Sequence, residues 1–484
     1  MTDNNNTTTF DVVVIGTGIG GSTFAYALAQ RGFKIAVVDR GDFFKPDRPD
    51  LSPLHVYYVQ QQPTIGGQTK SFGAAMYRLR ESDFEAVEME SGVSPAWPIS
   101  YWDLEPHYAE AEKIFRVHGS SANDATEPPR STPWPHDPIP HQGPVQELVR
   151  RIGERAGIQA SHIPRSIDYD PKNGGKCVLC RHCDGYYCPR DAKVDAEIGA
   201  LQPALKTGNV TVFTKTECLR VLTTADGRKA TGVQLRKDGK EFSLTAKIVC
   251  ASGGLTETPL LLWRSRSSAH PNGLANGSGA LGRHWAAHTQ SWVFPIAFNV
   301  QKQPFHQKTF AINAFYHSTP DSKLPAGVIQ SAGNIETTGM SRRHKYFAQA
   351  LLHNSFQTFI MNEALPSRET GFALTDTEAK VLAEPIRNPN TMKKLRRHAI
   401  DIFKAAGYLV VAPTMEEKFH SVGTARMGNS PSDSVINSYC QAHDVEGLYV
   451  VDSAALPTAG ALNSGLTIAA VALRAAASVS ASSF

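Results

Sequence analysis

An α/β fold with more than one domain is predicted for this 484-residue chain, on three observations. The first forty residues carry a strand, a glycine turn, a helix, a second strand and an acid, in that order. Residues 209–250 alternate β-rich runs with two hairpin signals before an apolar strand. The length itself is enough for two or three domains with large cores and no covalent staples.

The N-terminal element comes first. Phe10 to Ile15 (FDVVVI) is a short β-branched run, the pattern of a buried strand. Gly16-Thr-Gly18-Ile-Gly-Gly21 follows at once, then STFAYALAQRG at helical spacing, stopped by Gly32. Lys34 to Val38 is a second strand, and Asp39 stands eighteen residues beyond Gly21. This is the Rossmann dinucleotide fingerprint. Gly16 permits the tight turn, Gly18 lets the backbone approach a pyrophosphate, and Gly21 lets the helix pack closely on the strand, so that phosphates meet the helix N-terminus. Asp39 is the candidate acceptor for the adenosine ribose. The fingerprint alone suits FAD and NAD equally.

In the middle of the chain, Asp226-Gly227 and Asp238-Gly239 break β-rich runs between Asn209 and Cys250, and both dipeptides signal hairpins. Lys247 to Cys250 then returns to the main sheet before Gly253-Gly254. The Pro-rich span 127–144 reads as a surface excursion. From about 291 to 407 the pattern turns irregular, mixing β-like runs with polar loops. His284 and His288 are four apart, a spacing that would put two metal ligands on one helical face, but no third ligand is recognisable nearby. Cys218, Cys250 and Cys440 read as buried hydrophobes.

The C-terminal region carries FHSVGTARMG (Phe419 to Gly428) and GLYVVDSAALPTAGALNSGLTIAAVALR (Gly447 to Arg474). With the fingerprint, Ile65-Gly66-Gly67-Gln68-Thr69, WPISYWDLEPHYAEAE from Trp97, ASGGLTETPLLL (Ala251 to Leu262) and Gly282-Arg283, these segments resemble the glucose-methanol-choline (GMC) family of FAD-dependent oxidoreductases, in the family's order and over most of the chain. The resemblance implies a Rossmann-type FAD-binding domain that is discontinuous in sequence (7–115, 190–290 and 408–484). It also implies a substrate domain built on an antiparallel sheet (116–189 and 291–407). His420 falls on the family's active-site histidine and Asn463 on the second position of its catalytic pair. The resemblance further puts Asp452 against the flavin's ribityl or phosphate region, Gly66, Gly67 and Thr69 in the cofactor site, with the two glycines near the isoalloxazine, and Thr467 at the N-terminus of a buried helix aimed at the flavin. Ser71 stands where some members carry a histidine tethered to the flavin, so the FAD is expected to be non-covalent.

The chemistry of these residue types points the same way. An alcohol is too weak an acid to ionise at neutral pH, so its oxidation must couple proton removal to departure of a hydride. A neutral histidine of pKa about 6.5 can accept that proton, and a positioned base contributes roughly 10² to 10⁴ in rate. Asn463 cannot take a proton but can donate a hydrogen bond to the developing alkoxide oxygen.

Cys177, Cys180, Cys183 and Cys188 make C-x2-C-x2-C-x4-C-P, four of the seven cysteines within a dozen residues. The last gap is one residue longer than in the ferredoxin run. Four readings stay open: an iron–sulfur cluster, a structural zinc, disulfides, and plain thiols in a loop beside the flavin. Within the resembled family, bacterial FAD glucose dehydrogenase catalytic subunits carry a cluster-bearing cysteine segment in the corresponding place, which would imply an electron-accepting partner protein.

The formal net charge of +4, from 49 basic and 45 acidic residues without long single-sign runs, argues against nucleic acid as partner and for a small molecule. MTDNNNTTTF shows no secretory pattern and no window is apolar enough for a membrane span, so a cytoplasmic location is expected. The expected activity is oxidation of a CH–OH group of a sugar, polyol or glycoside by hydride transfer to flavin N5 with His420 as base. The alternatives are a flavin electron-transfer subunit without alcohol oxidation of its own, and an NAD-dependent dehydrogenase.

Overall fold

The computed structural model describes residues 9–44, 57–58, 63–180, 183–302, 305–334 and 342–480. The N-terminal stretch read as lacking a signal lies almost wholly outside them. Strand β1 (Val12–Ile15) turns through the glycines into helix α1 (Ile19–Gln30) and strand β2 (Ile35–Val38), and helix α2 (Tyr101–Ile114) follows. A short strand β3 (Ser161–His162) precedes β4 (Val210–Phe213) and the meander β5 (Glu217–Thr223), β6 (Ala230–Lys237) and β7 (Lys240–Thr245), which leads into β8 (Ile248–Ala251). Next come β9 (Ala286–Ile296), β10 (Phe310–Ile312), β11 (Val328–Ser331), β12 (Thr358–Ala364) and helix α3 (Pro389–Ala405). The chain closes with β13 (Leu409–Val411), β14 (Glu416–Val422), β15 (Leu448–Val450) and helix α4 (Gly465–Ser478).

Among the described residues, β4, β2, β1, β8 and β15 form one parallel sheet in that order. Such strands are covered on both faces and need apolar residues throughout, and β1, β2 and β8 are buried at every position. The hairpins expected at Asp226-Gly227 and Asp238-Gly239 are the turns of the β5–β7 meander, and Ile248–Ala251 does return to pair with β1.

The antiparallel sheet has the order β13-β9-β12-β11-β10-β3, with β14 also paired to β9. It therefore includes Leu409–Val411 and Glu416–Val422, beyond the boundary at 407 drawn from the sequence, and its strand β9 starts at Ala286, ahead of the boundary at 291. Side chains alternate along β9. Ala286 and Trp292 pack into the core shared with the parallel sheet, whereas Val293 faces a second core. That second core holds Met392, Leu395, Ala399, Ile402 and Phe403, one stripe of α3 at helical spacing. Each even-numbered β9 residue near Ala286, His288 among them, thus faces the parallel-sheet side.

Three glycines set how α1 meets the sheet. A Cβ on Gly16, whose φ is +98°, would stand 2.2 Å from the Ser252 carbonyl oxygen; one on Gly20 would stand 2.0 Å from Val451 O, and one on Gly21 2.1 Å from Gly16 O. No side chain fits at those distances. At Gly18, by contrast, a Cβ would meet nothing within 4 Å. Replacing Gly20 by Ala is therefore expected to destabilise the fold by about 1–3 kcal/mol or more, as overpacking does. Gly18→Ala should cost under about 1 kcal/mol. Urea unfolding of the two variants distinguishes these outcomes.

Candidate active site

The glycine loop forms one end of the site. The first N–H groups of a helix lack intrahelical partners; α1 has neither a side-chain cap nor an acid in its first turn, so these donors, beside the open flank of Gly18, suit an anionic group. Asp39 lies at the end of β2. Its Oδ2 accepts from Thr17 N (3.0 Å) and Thr17 Oγ1 (2.6 Å), and its Oδ1 from Gly41 N (2.8 Å). Thr17, not singled out in the sequence, also accepts from Gly66 N at 3.0 Å and so joins the acid to the Gly66-Gly67 turn.

That turn has positive φ at both glycines and lies against the loop: a Cβ on Gly67 would be 3.3 Å from Gly18 Cα. The structure thus brings Gly66 and Gly67 against the glycine loop of the fingerprint. Thr69 Oγ1 donates to Gly66 O (2.6 Å) and accepts from Ala196 N (3.0 Å), locking the turn. Asp452 follows Val451 under Gly20. Its carboxylate is buried and fully engaged by Gly254 N (2.7 Å), Thr258 Oγ1 (2.5 Å) and Ala454 N (2.8 Å), so it organises two backbone turns beside the loop. Burial pushes its pKa up. Thr467 stands in the first turn of α4, as expected. Its hydroxyl is wholly buried and hydrogen-bonded to Tyr108 OH on α2 at 2.8 Å, because it lies on the flank of α4 that packs on α2. What remains free for a ligand at that helix is the N–H set of its first turn.

At the other end, His420 and Asn463 meet, Nε2 to Nδ2, at 3.2 Å. His420 lies on a β-bulge. On β9 the pairing steps from Ala286 to His288 while on β14 it steps from Val422 to Phe419, leaving one extra residue on β14. His420 has φ +49°, a left-handed conformation rare outside glycine. Bulges of this kind re-aim side chains beside active sites. Here the ring is turned onto His288, Nδ1 to Nδ1 at 3.0 Å, and His288 Nε2 lies 3.1 Å from Ala459 O. His288 is completely buried. Burial first, then the neighbouring His288 and Lys308, hold the His420 pKa below the ordinary 6.5, with Asp184 opposing; burial, against the backbone hydrogen bonds at Ala459 and Gly460, brings His288 down to about 4. The helical metal face read for His284 and His288 does not exist: His288 is in a strand, and its ring partner is His420.

The Ala459 turn is itself pinned. Glu363, directly across the ladder from His288, accepts at Oε1 from Ala459 N and Gly460 N, both at 3.1 Å. Tyr316 OH accepts from Ala461 N (3.3 Å) and donates to Asp83 Oδ2 (2.6 Å). Burial raises the Glu363 pKa to about 7 and the Asp83 pKa to about 6.

The cysteine segment packs against this site. Its Asp184 pairs with Lys308 (2.5 Å) and crowds Gly73, where a Cβ would fall 1.6 Å from Asp184 Oδ1. Lys193, buried, directs its ammonium at the carbonyl oxygens of Lys70 (2.9 Å), Phe72 (3.0 Å), Cys183 (3.3 Å) and Tyr186 (2.5 Å), stitching the segment to the loop at 70–73. Cys177, Cys180, Cys183 and Cys188 line one small cavity with Val178, Ala192 and Lys193, and none of them forms a disulfide among the described residues. Even so, among the described residues no three of them are placed as ligands of one metal ion. The Cys188 sulfur accepts from Ala192 N at 3.4 Å, so the loop is held by its own backbone and by Lys193. The cluster and zinc readings of this segment find no ligand set among the described residues. Cys218, Cys250 and Cys440 are buried, as expected.

Among the described residues no helix is long and apolar enough to cross a membrane. Family models described as GMC oxidoreductase match residues 10–304 and 369–472. The chain is 28% identical to the 2-methyl-1,2-propanediol dehydrogenase of Mycolicibacterium austroafricanum, over 96% of this chain and 94% of that protein. It is 26% identical to the 6'''-hydroxyparomomycin C oxidase of Streptomyces lividus (96% and 90%) and 25% identical to the fructose dehydrogenase large subunit of Gluconobacter japonicus (98% and 98%). The fold matches the crystal structure of pyridoxine 4-oxidase from Mesorbium loti with a TM-score of 0.65 at 15% identity, over 97% of this chain and 98% of that one.

Replacing Lys193 by Met would leave several carbonyl oxygens without their shared donor, and a buried acceptor so stranded costs about 1–3 kcal/mol. A loss of at least about 2 kcal/mol in denaturant unfolding is expected, with faster amide exchange in 70–73 and 183–186 than elsewhere.

Proposed function

This chain belongs to the GMC oxidoreductase family, and on that premise we propose that it is an FAD-dependent enzyme that oxidises a CH–OH group of a sugar, polyol or related alcohol, with His420 as general base. The observation that carries this reading is the His420–Asn463 pair, a half-buried imidazole and a buried amide that converge on one point. The residues around the loop fit FAD: open space at Gly18, free N–H donors on α1, and a carboxylate at Asp39. They would hold the adenosine and pyrophosphate, while the first turn of α4 would face the ring system with its positive end. Bound FAD supplies a two-electron acceptor for the hydride.

The protein's own part is positional and protonic. An alcohol oxygen set between His420 Nε2 and Asn463 Nδ2 would give its proton to the imidazole and keep a hydrogen bond from the amide as negative charge grows on it. Asn463 Oδ1 is buried with no partner among the described residues, an acceptor left for a substrate hydroxyl. The three relatives named above are titled for oxidation of a sugar, a diol and an aminoglycoside, which supports a polyhydroxylated substrate. Retention of the His–Asn pair argues against a subunit that only relays electrons, and the family match argues against an NAD-dependent dehydrogenase.

Anaerobic mixing with a panel of sugars, polyols and diols should bleach the flavin absorbance, and failure with every alcohol tested would refute the reading. His420→Ala is expected to slow that bleaching by about 10² to 10⁴. Because burial keeps the base unprotonated below its ordinary range, the rate should hold its plateau as pH falls to about 6 and decline only in stronger acid; stopped-flow traces across pH measure this. With serine at position 71, acid precipitation should release all the FAD into the supernatant.

A further inference from the structure

We infer that His288 is a positioning residue that fixes the tautomer of His420, holding the proton on His420 Nδ1 so that the Nε2 lone pair is the one presented to the alcohol. The inference rests on the proposed role of His420 and adds to it the group that makes the role possible.

The reasoning starts at a carbonyl, which can only accept. His288 Nε2 is 3.1 Å from Ala459 O, so Nε2 carries the hydrogen. His288 is fully buried, and among the described residues its ring nitrogens meet only His420 and the Ala459 carbonyl, no carboxylate. It is therefore neutral, with a single ring proton, and its Nδ1 is a bare lone pair. That lone pair faces His420 Nδ1 at 3.0 Å, a distance that needs one proton between the nitrogens. Only His420 can supply it. A neutral His420 protonated at Nδ1 is unprotonated at Nε2, and Asn463 Nδ2 donates into that site at 3.2 Å until a substrate hydroxyl replaces it.

Three features of the fold serve this line. The bulge and the positive φ of His420 aim its ring at His288. The alternation of β9 puts His288 on the parallel-sheet side. Glu363 holds the Ala459 turn from the next strand. When Nε2 accepts the alcohol's proton, the Nδ1–H bond to His288 persists and the imidazolium charge is shared without a second transfer. Lys308 and Asp184, paired with each other, are the charged groups facing His420 across the site, and their opposite signs largely offset.

The test is the side-chain ¹⁵N spectrum of histidine-labelled holoprotein at neutral pH, with the His420 signals assigned through His420→Gln. Wild type should show His420 protonated at Nδ1. In His288→Leu the Nδ1–H form should give way to the Nε2–H form, and kcat for flavin reduction should fall about 10- to 10³-fold with KM changed less than about threefold. In His288→Asn, whose amide oxygen stands near the lost Nδ1, the Nδ1–H form and most of kcat should return. His420 protonated at Nε2 in wild type, or at Nδ1 in all three proteins, would overturn the inference. Should no alcohol reduce the flavin, the proposed function fails while the tautomer spectra still decide this point.

Discussion

Everything in this molecule depends on how closely one helix can approach two strand ends. The carbonyls of Ser252 and Val451 occupy the space that side chains at Gly16 and Gly20 would need, and Gly16 O does the same at Gly21. The contact joins residues near the N-terminus to residues more than 200 and more than 400 positions away. Because β8 and β15 flank β1 on one side of the sheet, Gly254, Asp452 and the glycine loop come together at one edge. The N-termini of α1 and α4 then belong to the same site, and the discontinuity of the binding domain in sequence is a direct consequence.

The second constraint is register. His288 is useful only because the β9–β12 pairing puts it opposite Glu363 and on the face toward the parallel sheet. A slip by one residue would exchange the two faces and send His288 into the α3 core. The bulge on β14 solves the complementary problem, since a regular strand would not present both Phe419 at the edge and His420 inward at this spacing. Left-handed backbone at a non-glycine residue costs about 1–2 kcal/mol, and that strain is located at the residue proposed as base, where the surrounding sheet can hold it.

The two ends of the site were legible in the sequence to different depths. The fingerprint, the meander and helix α4 were readable because their signals are local: glycine spacing, hairpin dipeptides, an unbroken apolar run. His420 and Asn463 were reached through family resemblance, and their meeting at 3.2 Å is a property of the fold. His288, Glu363, Thr17 and Lys193 were out of reach because each acts through a partner fixed by tertiary pairing. His288 lies 132 positions from His420, and a spacing of four from His284 suggested a helix that the strand pairing denies. For Thr467 the position in the first turn of α4 was legible, whereas the engagement of its hydroxyl by Tyr108 is decided by packing. The cysteine spacing likewise suggested ligands, whereas an adjacent lysine and an aspartate, unremarked in the sequence, tie that loop to the site.

The choice of a histidine rather than a carboxylate as partner to the base has a physical logic. A carboxylate on Nδ1 would strengthen the base, but by favouring the imidazolium it would also raise the fraction of free enzyme already protonated near neutral pH. It would add a negative charge beside a group that must receive two electrons, opposing the transfer. A neutral imidazole avoids both effects. It accepts the same hydrogen bond, orients the ring equally well, and adds no charge before or after the proton moves. In the proposed mechanism the resulting base is weak, so the proton would move only as the hydride departs and the hydroxyl becomes acidic. Coupling the two events in that way confines proton transfer to productive turnover, and it follows from a carbonyl oxygen, Ala459 O, at the start of the hydrogen-bonded line.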